Sequence, residues 1–186
     1  WGSVAAFDFL YISELRRRRM VAPTTGVDRT GHAGSPGGLV MPARAGLYRN
    51  VFVFDFKSLY PSIIRTFNID PLSLVQARQA VQATGDGGTV GLITAPNGAS
   101  FARDAGILPG MLEGFFTQRE RAKEAGDPLA SYAYKIVMNS FYGVLATDAC
   151  RFAHSELAGA ITEFGQNILR WTKRLLEDSG RGTVLY

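Results

Sequence analysis

The sequence predicts a mixed α/β fold of the α+β kind, in which a few mostly antiparallel strands are backed by helices. Residues 51–56 form an aromatic and β-branched run, which has the composition of a buried strand. Residues 109–144 and 155–178 instead repeat apolar side chains at helical spacing. The chain has 186 residues, of which 46% are hydrophobic, so it is long enough to bury a core.

Composition narrows the class of protein. The formal charge of +4 fits a polyanionic partner such as nucleic acid, although many basic proteins bind none. Cys150 is the single cysteine, which excludes a disulfide framework or a thiolate zinc site within the chain. His32 and His154 lie far apart, so we predict surface or packing roles for them. Without a signal peptide or a membrane-length apolar stretch, the sequence predicts a soluble, cytoplasmic protein.

The two ends of the sequence suggest a fragment. The chain starts at Trp1 rather than at a methionine, and residues 183–186 have the composition of a strand that is just beginning. A domain seldom stops inside an apolar strand, so we interpret the chain as a piece of a longer protein.

The first segments predict a helix followed by a loop. Residues 5–21 have helical spacing and carry four arginines at 16–19, where cations favour the helix dipole. We interpret this basic run as a solvated helix end, and phosphate contact is the alternative. Residues 22–46 are rich in Pro, Gly, Thr and Ser, with Gly37 and Gly38 at the centre. They predict a loop whose backbone can approach a partner closely.

The run at 51–56 contains the first candidate for chemistry. We predict a buried strand that is apolar on both faces, in which the carboxylate of Asp55 is out of place unless it has a partner. Pro61 suits the first turn of a following helix. Residues 84–106 hold many turn formers and predict a short hairpin.

Cap signals divide the next region into two helices. The first begins near Pro109 and ends at Gly126, which suits a left-handed cap position. Asp127 and Pro128 then suit the N-cap and first residue of the second helix. Because the turn is so short, the two helices are predicted to pack antiparallel. A third helix at 155–178 has one apolar stripe: Leu157, Ile161, Phe164, Ile168, Trp171 and Leu175.

The two helices of this predicted hairpin carry cations at equal distances from the turn that joins them. Arg119 and Lys123 share a helix face, and Arg119 and Lys135 are each eight residues from Asp127. Both therefore lie about 12 Å from the turn. If the two faces turn the same way, three cations converge and can grip a triphosphate.

The alternative is that these are exposed helix cations, partly paired with Glu120 and Glu124. Asn139 and Tyr142 favour the binding interpretation. They follow Lys135 on the same stripe, within a segment that is otherwise apolar enough to be packed.

Two long motifs carry a resemblance to a known family. Residues 55–64, D-F-K-S-L-Y-P-S-I-I, resemble the first palm motif of family B DNA polymerases, D-x-x-S-L-Y-P-S-I. Residues 135–143, K-I-V-M-N-S-F-Y-G, resemble their fingers motif, K-x-x-x-N-S-x-Y-G. The residues at 35–38 and 65–71 are most similar to those of the bacterial DNA polymerase II branch. The resemblance spans nearly the whole chain.

The resemblance implies four regions. Residues 1–30 would hold the end of an exonuclease region and a linker, and residues 31–108 the first part of the palm. Residues 109–144 would form the fingers as a helical hairpin. Residues 145–186 would be the second part of the palm, truncated before a second carboxylate motif, D-T-D.

The resemblance also assigns roles around the first motif. Asp55 would bind two catalytic Mg²⁺ ions, and the backbone carbonyl of Phe56 would complete one coordination shell. The ions would activate the primer 3′-hydroxyl and stabilise the leaving pyrophosphate. Backbone N–H groups of Ser58 and Leu59 would hold phosphate oxygens. Tyr60 would lie under the incoming sugar and select deoxyribose.

Further roles fall on the hairpin. Arg119 would grip the triphosphate with help from Lys123, and Lys135 would be a catalytic proton donor to pyrophosphate. Asn139 would support the nucleotide pocket, and Tyr142 would lie beside the minor groove of the nascent base pair.

Glycines would provide the remaining DNA contacts. Gly143 would let backbone approach the base pair, and the loop of Gly37 and Gly38 resembles the family's template-contacting loop.

The implied function is template-directed DNA polymerisation, with primer-template DNA and deoxynucleoside triphosphates as partners. The resemblance further implies a bacterial, nucleoid-associated enzyme of repair or replication, with a sliding clamp as partner of a C-terminal part. We expect the parent protein to polymerise DNA. Because the D-T-D motif and the thumb are missing, we expect this chain alone to be inactive. The alternative is a catalytically dead DNA-binding relative, but Asp55, Tyr60, Lys135 and Asn139 are all present.

Overall fold

A computed structural model of the chain describes residues 2–24, 37–84, 91–104, 106–180 and 182–185. Within these ranges the chain forms helices and one two-stranded antiparallel sheet, which confirms the mixed fold class. The elements in order are α1 (Gly2–Arg17), α2 (Leu59–Thr66), α3 (Pro71–Thr84), β1 (Ile93–Thr94), β2 (Ser100–Phe101), α4 (Ile107–Glu124), α5 (Pro128–Leu145) and α6 (Ser155–Asp178). In the sheet, Ile93 lies opposite Phe101, so the short hairpin predicted between 84 and 106 is confirmed.

The predicted turn between α4 and α5 is confirmed. Gly126 has a φ of +69°, and its N–H donates to the Lys123 carbonyl at 3.0 Å. The N–H of Asp127 donates to the Ala122 carbonyl at 2.8 Å, which completes a Schellman motif. The Asp127 carboxylate then accepts the N–H of Ala130 at 2.9 Å and so caps α5. The chain reverses within these few residues, and α4 and α5 pack together as a hairpin.

One cluster of buried side chains contains residues from α1, α2, α4, α5 and α6. α2 contacts α4, α5 and α6, while α1 packs on α5 through the edge-to-face pair of Phe7 and Phe141, whose ring centroids are 5.4 Å apart. Arg65 of α2 ion-pairs with Glu113 of α4 and lies 4.6 Å from the ring centroid of Phe116. The largest buried residues of the cluster include Tyr11, Ile64, Leu108, Leu112, Met138, Leu145, Leu157 and Ile161. The short helix α2 is therefore held from several sides.

The structure adds a helix, α3, that the apolar pattern did not predict. Asp70 precedes it, is 0% exposed, and accepts the N–H of Leu72 at 2.9 Å. The same carboxylate accepts the N–H of Leu108 in the first turn of α4 at 2.8 Å and the hydroxyl of Tyr11 at 2.9 Å. Burial raises the pKa of Asp70, and these hydrogen bonds oppose part of that rise. One buried carboxylate thus caps two helices.

The predicted strand at 51–56 is wrong. The structure assigns no strand there, and the run is exposed, with Phe52 77% and Phe54 83% accessible. A strand is stable when its backbone groups pair with a neighbour, and no described residue provides that pairing. Composition alone therefore did not decide the conformation of this run.

The predicted strand at 183–186 is not formed within residues 182–185, which are all that the structure describes there. One backbone hydrogen bond reaches this segment, from the N–H of Arg44 to the carbonyl of Leu185 at 2.9 Å. Arg44 also lies 3.9 Å from the Glu177 carboxylate near the end of α6. A single hydrogen bond of this kind is too little for a strand ladder.

Helix α6 has the predicted bounds, but its apolar stripe is only half buried. Leu157 and Ile161 are fully buried, whereas Trp171 and Leu175 are exposed. The described N-terminal part of the chain gives a confirmed helix, α1, with Arg16 and Arg17 in its last turn. Among the helices that the structure describes, none combines the length and apolarity needed to cross a membrane.

Candidate functional site

Three segments meet around the ring of Tyr60, in the first turn of α2. The ring of Tyr142, on α5, lies 4.7 Å from it between centroids and is tilted by 50°. A Cβ built on Gly165 of α6 would lie 3.3 Å from the Tyr60 ring. A Cβ built on Gly38 would lie 3.3 Å from the Tyr60 hydroxyl. Residues that are more than 100 positions apart in the sequence therefore form one compact arrangement.

The side chain of Tyr60 is partly withdrawn from solvent. Burial, followed by the neighbouring Tyr142, raises the pKa of Tyr60. A half-buried phenol of this kind presents a rigid aromatic wall and a polar tip.

The loop of Gly37 and Gly38 is anchored beside this ring. The side-chain amide of Gln166 donates to the carbonyl of Gly37 at 2.7 Å. Gln166 follows Gly165, so α6 fixes the loop and limits the space around Tyr60 at the same point. The structure thereby brings Gly38 to the predicted tyrosine, while Gly37 is held by Gln166 next to it.

The turn before α2 places a residue with left-handed backbone geometry at the N-terminus of the helix. Ser58 is the N-cap residue with φ 53° and ψ 54°, in the left-handed region that non-glycine residues rarely adopt. Its side chain makes no capping hydrogen bond. Its carbonyl accepts the N–H of Ser62 at 2.9 Å, which starts the helix. The first N–H groups of a helix have no partner within it and carry its positive end.

The predicted metal ligands lie on the exposed run that precedes this turn. Asp55 is exposed, and Phe56 is 40% accessible. No group of three His, Cys, Asp or Glu side chains in the described ranges is arranged to hold a metal. Magnesium binds through one or two carboxylates together with waters and substrate phosphates. Asp55 and the Phe56 carbonyl can therefore supply part of an oxygen ligand set, and they do not enclose an ion by themselves.

An ion cluster links the first motif to the hairpin. The Glu120 carboxylate lies 2.8 Å from the Lys123 ammonium and 3.4 Å from the Lys57 ammonium. These two lysines, with the Lys123 hydrogen bond the largest cause, lower the pKa of Glu120. The pairing with Glu120 that the alternative interpretation predicts is thus present for Lys123, whereas no ion pair joins Glu124 to any described residue. Sequence reasoning did not select Lys57, although it lies inside the first motif.

The remaining hairpin residues are placed on the two helices without a shared contact. Arg119 is half-buried, and its Nε is buried with no hydrogen-bond partner among the described atoms. Lys135, Asn139 and Gly143 are exposed along α5. No ion pair or hydrogen bond in the described part of the chain joins Lys135 to Arg119 or Lys123, so their convergence on one ligand stays a prediction.

Comparisons with known proteins identify the family. A family model for DNA polymerase family B matches residues 5–184. The chain is 47% identical over 183 residues to DNA polymerase II of Escherichia coli (strain K12), covering 98% of this chain and 22% of that protein. It is 32% identical over 178 residues to the DNA polymerase delta catalytic subunit of Glycine max, covering 88% of this chain and 16% of that subunit.

A third relative, also a DNA polymerase, is similar to most of this chain. The chain is 32% identical over 163 residues to the DNA polymerase of Thermococcus gorgonarius, covering 81% of this chain and 20% of that protein. The chain thus spans about a fifth of the length of these relatives, whose shares are 22%, 16% and 20%. Since the family model matches residues 5–184 of the 186, this chain belongs to DNA polymerase family B.

Proposed function

We propose that this chain forms the nucleotide-selecting part of a template-directed DNA polymerase, which adds deoxynucleotides to a primer 3′ end. The observation that carries the proposal is the convergence of Gly38, Tyr142 and Gly165 on Tyr60. It brings together both family motifs and the predicted template loop. In this proposal residues 31–108 and 145–186 belong to the palm, residues 109–144 form the fingers, and residues 1–30 end an exonuclease region.

Tyr60 would select the sugar. Its ring is held between Tyr142 and the α6 backbone at Gly165, so it cannot retreat easily from a ligand. A fixed wall under the deoxyribose would clash with a 2′-hydroxyl.

The phosphates would lie at the start of α2 and along the hairpin. Ser58 and Leu59 lie at the N-terminus of α2, where backbone N–H groups favour anions. Arg119 has an unpartnered buried Nε, which a phosphate oxygen would satisfy, and Lys123 would add a charge-assisted hydrogen bond. Lys135 would donate a proton to the leaving pyrophosphate.

Asp55 would be the metal-binding residue of this chain. Two Mg²⁺ ions would supply activation of the primer 3′-hydroxyl and charge neutralisation at the leaving group. Asp55 would contribute a carboxylate and Phe56 its backbone carbonyl, next to the phosphate-binding turn at Ser58. This order along the chain puts the proposed metal ligands and phosphate donors within the five consecutive residues 55–59.

Contacts with primer-template DNA would come from the surrounding surface. The loop of Gly37 and Gly38 would touch the template, Tyr142 and Gly143 would lie beside the minor groove of the nascent pair, and Asn139 would support the pocket. Family membership further supports nucleoid association and a sliding clamp as proposals for the longer protein.

Primer extension with magnesium and all four deoxynucleotides tests the proposal in a longer protein that contains this chain. Asp55→Ala is expected to abolish extension, because it removes the carboxylate ligand. Asp178→Ala, an exposed aspartate at the end of α6, is the matched control and is expected to retain extension. Full extension by Asp55→Ala would contradict the proposed site.

The same assay on this chain alone is expected to show no extension, since Asp55 is the one carboxylate proposed as a metal ligand, and no group of three metal-ligating side chains occurs among the described residues. Binding of primer-template without extension by the longer protein would favour the catalytically inactive DNA-binding module instead.

A further inference from the structure

Glu120 occupies the space between the two proposed phosphate-binding elements. Its carboxylate is within 3.4 Å of Lys57, one residue before the Ser58 turn, and within 2.8 Å of Lys123 on the hairpin. Lys57 and Glu120 are 63 positions apart in sequence, so this contact joins the first motif to α4. A carboxylate held by two ammonium groups resembles chemically one oxygen pair of a bound phosphate.

We propose that Glu120 is an internal counter-ion which a triphosphate displaces from Lys57 and Lys123, and that Lys57 is a further phosphate-binding residue. The inference rests on the proposed nucleotide site. Glu120 would keep the two ammonium groups close together in the absence of substrate. When the triphosphate arrives, its larger negative charge replaces the single charge of Glu120 at both lysines.

The energetics favour displacement rather than a permanent bridge. All three side chains are substantially exposed, and an exposed ion pair contributes little because water and salt screen it. Breaking such pairs therefore costs the ligand only about a two- to fivefold loss of affinity. That penalty is small enough for a polyanion to overcome and large enough to measure.

Glu124 provides a matched control. It is a glutamate on the same helix as Glu120, it is exposed, and it forms no ion pair with any described residue. Replacing either glutamate with glutamine removes one negative charge. A purely long-range charge effect would act on both variants, whereas displacement from the two lysines acts on Glu120→Gln alone.

The experiment measures binding of inorganic tripolyphosphate to this chain by calorimetry, without divalent metal and at low ionic strength. Glu120→Gln is expected to bind about two to five times more tightly than the unmodified chain. Glu124→Gln is expected to change the affinity by less than about 1.5-fold, because the lysines keep their counter-ion. Adding Lys57→Gln to Glu120→Gln is expected to reverse most of the gain.

A second readout follows the Glu120 carboxyl by NMR. Lysine neighbours lower its pKa in the free chain, so saturating tripolyphosphate is expected to move its titration to higher pH. An unchanged titration would mean that the carboxylate keeps its partners, which would overturn displacement.

The outcomes separate the two levels of proposal. Equal affinity of Glu120→Gln and Glu124→Gln, in a chain that binds tripolyphosphate, would overturn the role of Glu120 and leave the nucleotide site standing. Equal affinity of Glu120→Gln with and without Lys57→Gln would remove Lys57 from the site. Absence of binding in every variant would overturn the nucleotide site of this chain and the inference with it.

Discussion

Two glycines set the position of Tyr60, since a side chain at either would press on it. The Cβ of an alanine at 165 would lie 3.3 Å from the Tyr60 ring and 3.6 Å from the Ile63 side chain. A Cβ built on Gly38 would lie at the same 3.3 Å from the Tyr60 hydroxyl. Both distances are shorter than ordinary van der Waals contact, so a side chain at either position would require Tyr60 to shift by a few tenths of an ångström.

Gly165→Ala therefore gives a prediction at the scale of one residue. The reference is Gly114→Ala, another helical glycine whose added Cβ meets nothing within 4 Å. Gly114→Ala is expected to raise the free energy of unfolding by about 0.5–1 kcal/mol, as alanine favours helix. Gly165→Ala is expected to raise the free energy of unfolding by less than this, or to lower it, because the new Cβ presses on Tyr60.

Urea unfolding of both variants measures this difference. In a longer, active protein, Gly165→Ala is also expected to lower the preference for deoxynucleotides over ribonucleotides, as the wall at Tyr60 shifts. Equal stabilisation by the two substitutions, with unchanged sugar preference, would contradict the packing argument.

At the scale of elements, two aspartate–proline pairs look the same in sequence, but their aspartates contribute differently to the stability of the fold. Asp127 and Asp70 each precede a helix that begins with proline. Asp127 is exposed and caps one helix, whereas Asp70 is buried and bonds to the first turns of α3 and α4 as well as to Tyr11. The buried carboxylate accepts hydrogen bonds only, and each of its partners is a donor.

Asp70→Asn and Asp127→Asn form a matched pair for this comparison. Asparagine is as good an N-cap as aspartate, so Asp127→Asn is expected to change the free energy of unfolding by less than about 0.5 kcal/mol. At position 70 the amide NH₂ would face donors in a buried site, and the expected loss is about 2–4 kcal/mol. Denaturant unfolding monitored by circular dichroism measures both, and similar small losses would contradict the double-cap role of Asp70.

The helices and strands also show which signals in the sequence were sufficient to predict secondary structure. α4, α5 and α6 could be predicted because capping residues and apolar periodicity agreed with each other. α3 has the same start signal at 70–71, but its apolar positions do not share one face. Leu74 and Ala77 are buried while Val75 and Val81 are exposed. The run at 51–56 was misjudged because strand formation depends on a partner, which local composition does not specify.

At the scale of the whole molecule, the candidate site is made of contacts between distant segments. Motif residues could be named from sequence because two long strings resembled a family. Their geometry could not be predicted, since the meeting of Gly38, Tyr142 and Gly165 at Tyr60 depends on how α2, α5 and α6 pack. The link from Lys57 to Glu120 was missed for the same reason.

The exposed run at 51–56 leads to a prediction about the chain as a whole. Phe52 and Phe54 are exposed, their ring centroids lie 6.5 Å apart, and Asp55 is the one charged residue of the six. Short segments of high β-propensity and low charge tend to pair with each other when their backbone is free. We therefore expect this chain to self-associate with rising concentration, and Phe54→Lys to shift it towards monomer.

Trp171→Lys is the matched control, because it replaces another exposed aromatic residue, on α6, with the same cation. Sedimentation velocity over a concentration series is expected to show a clear loss of association for Phe54→Lys and a smaller change for Trp171→Lys. Asp55→Asn is expected to strengthen association, since it removes the charge that opposes pairing. An equal loss of association in the two lysine variants would mean that self-association does not depend on the run at 51–56. The result would also bear on activity assays with Asp55 variants, because losing this carboxylate is expected to change assembly as well as the proposed metal binding.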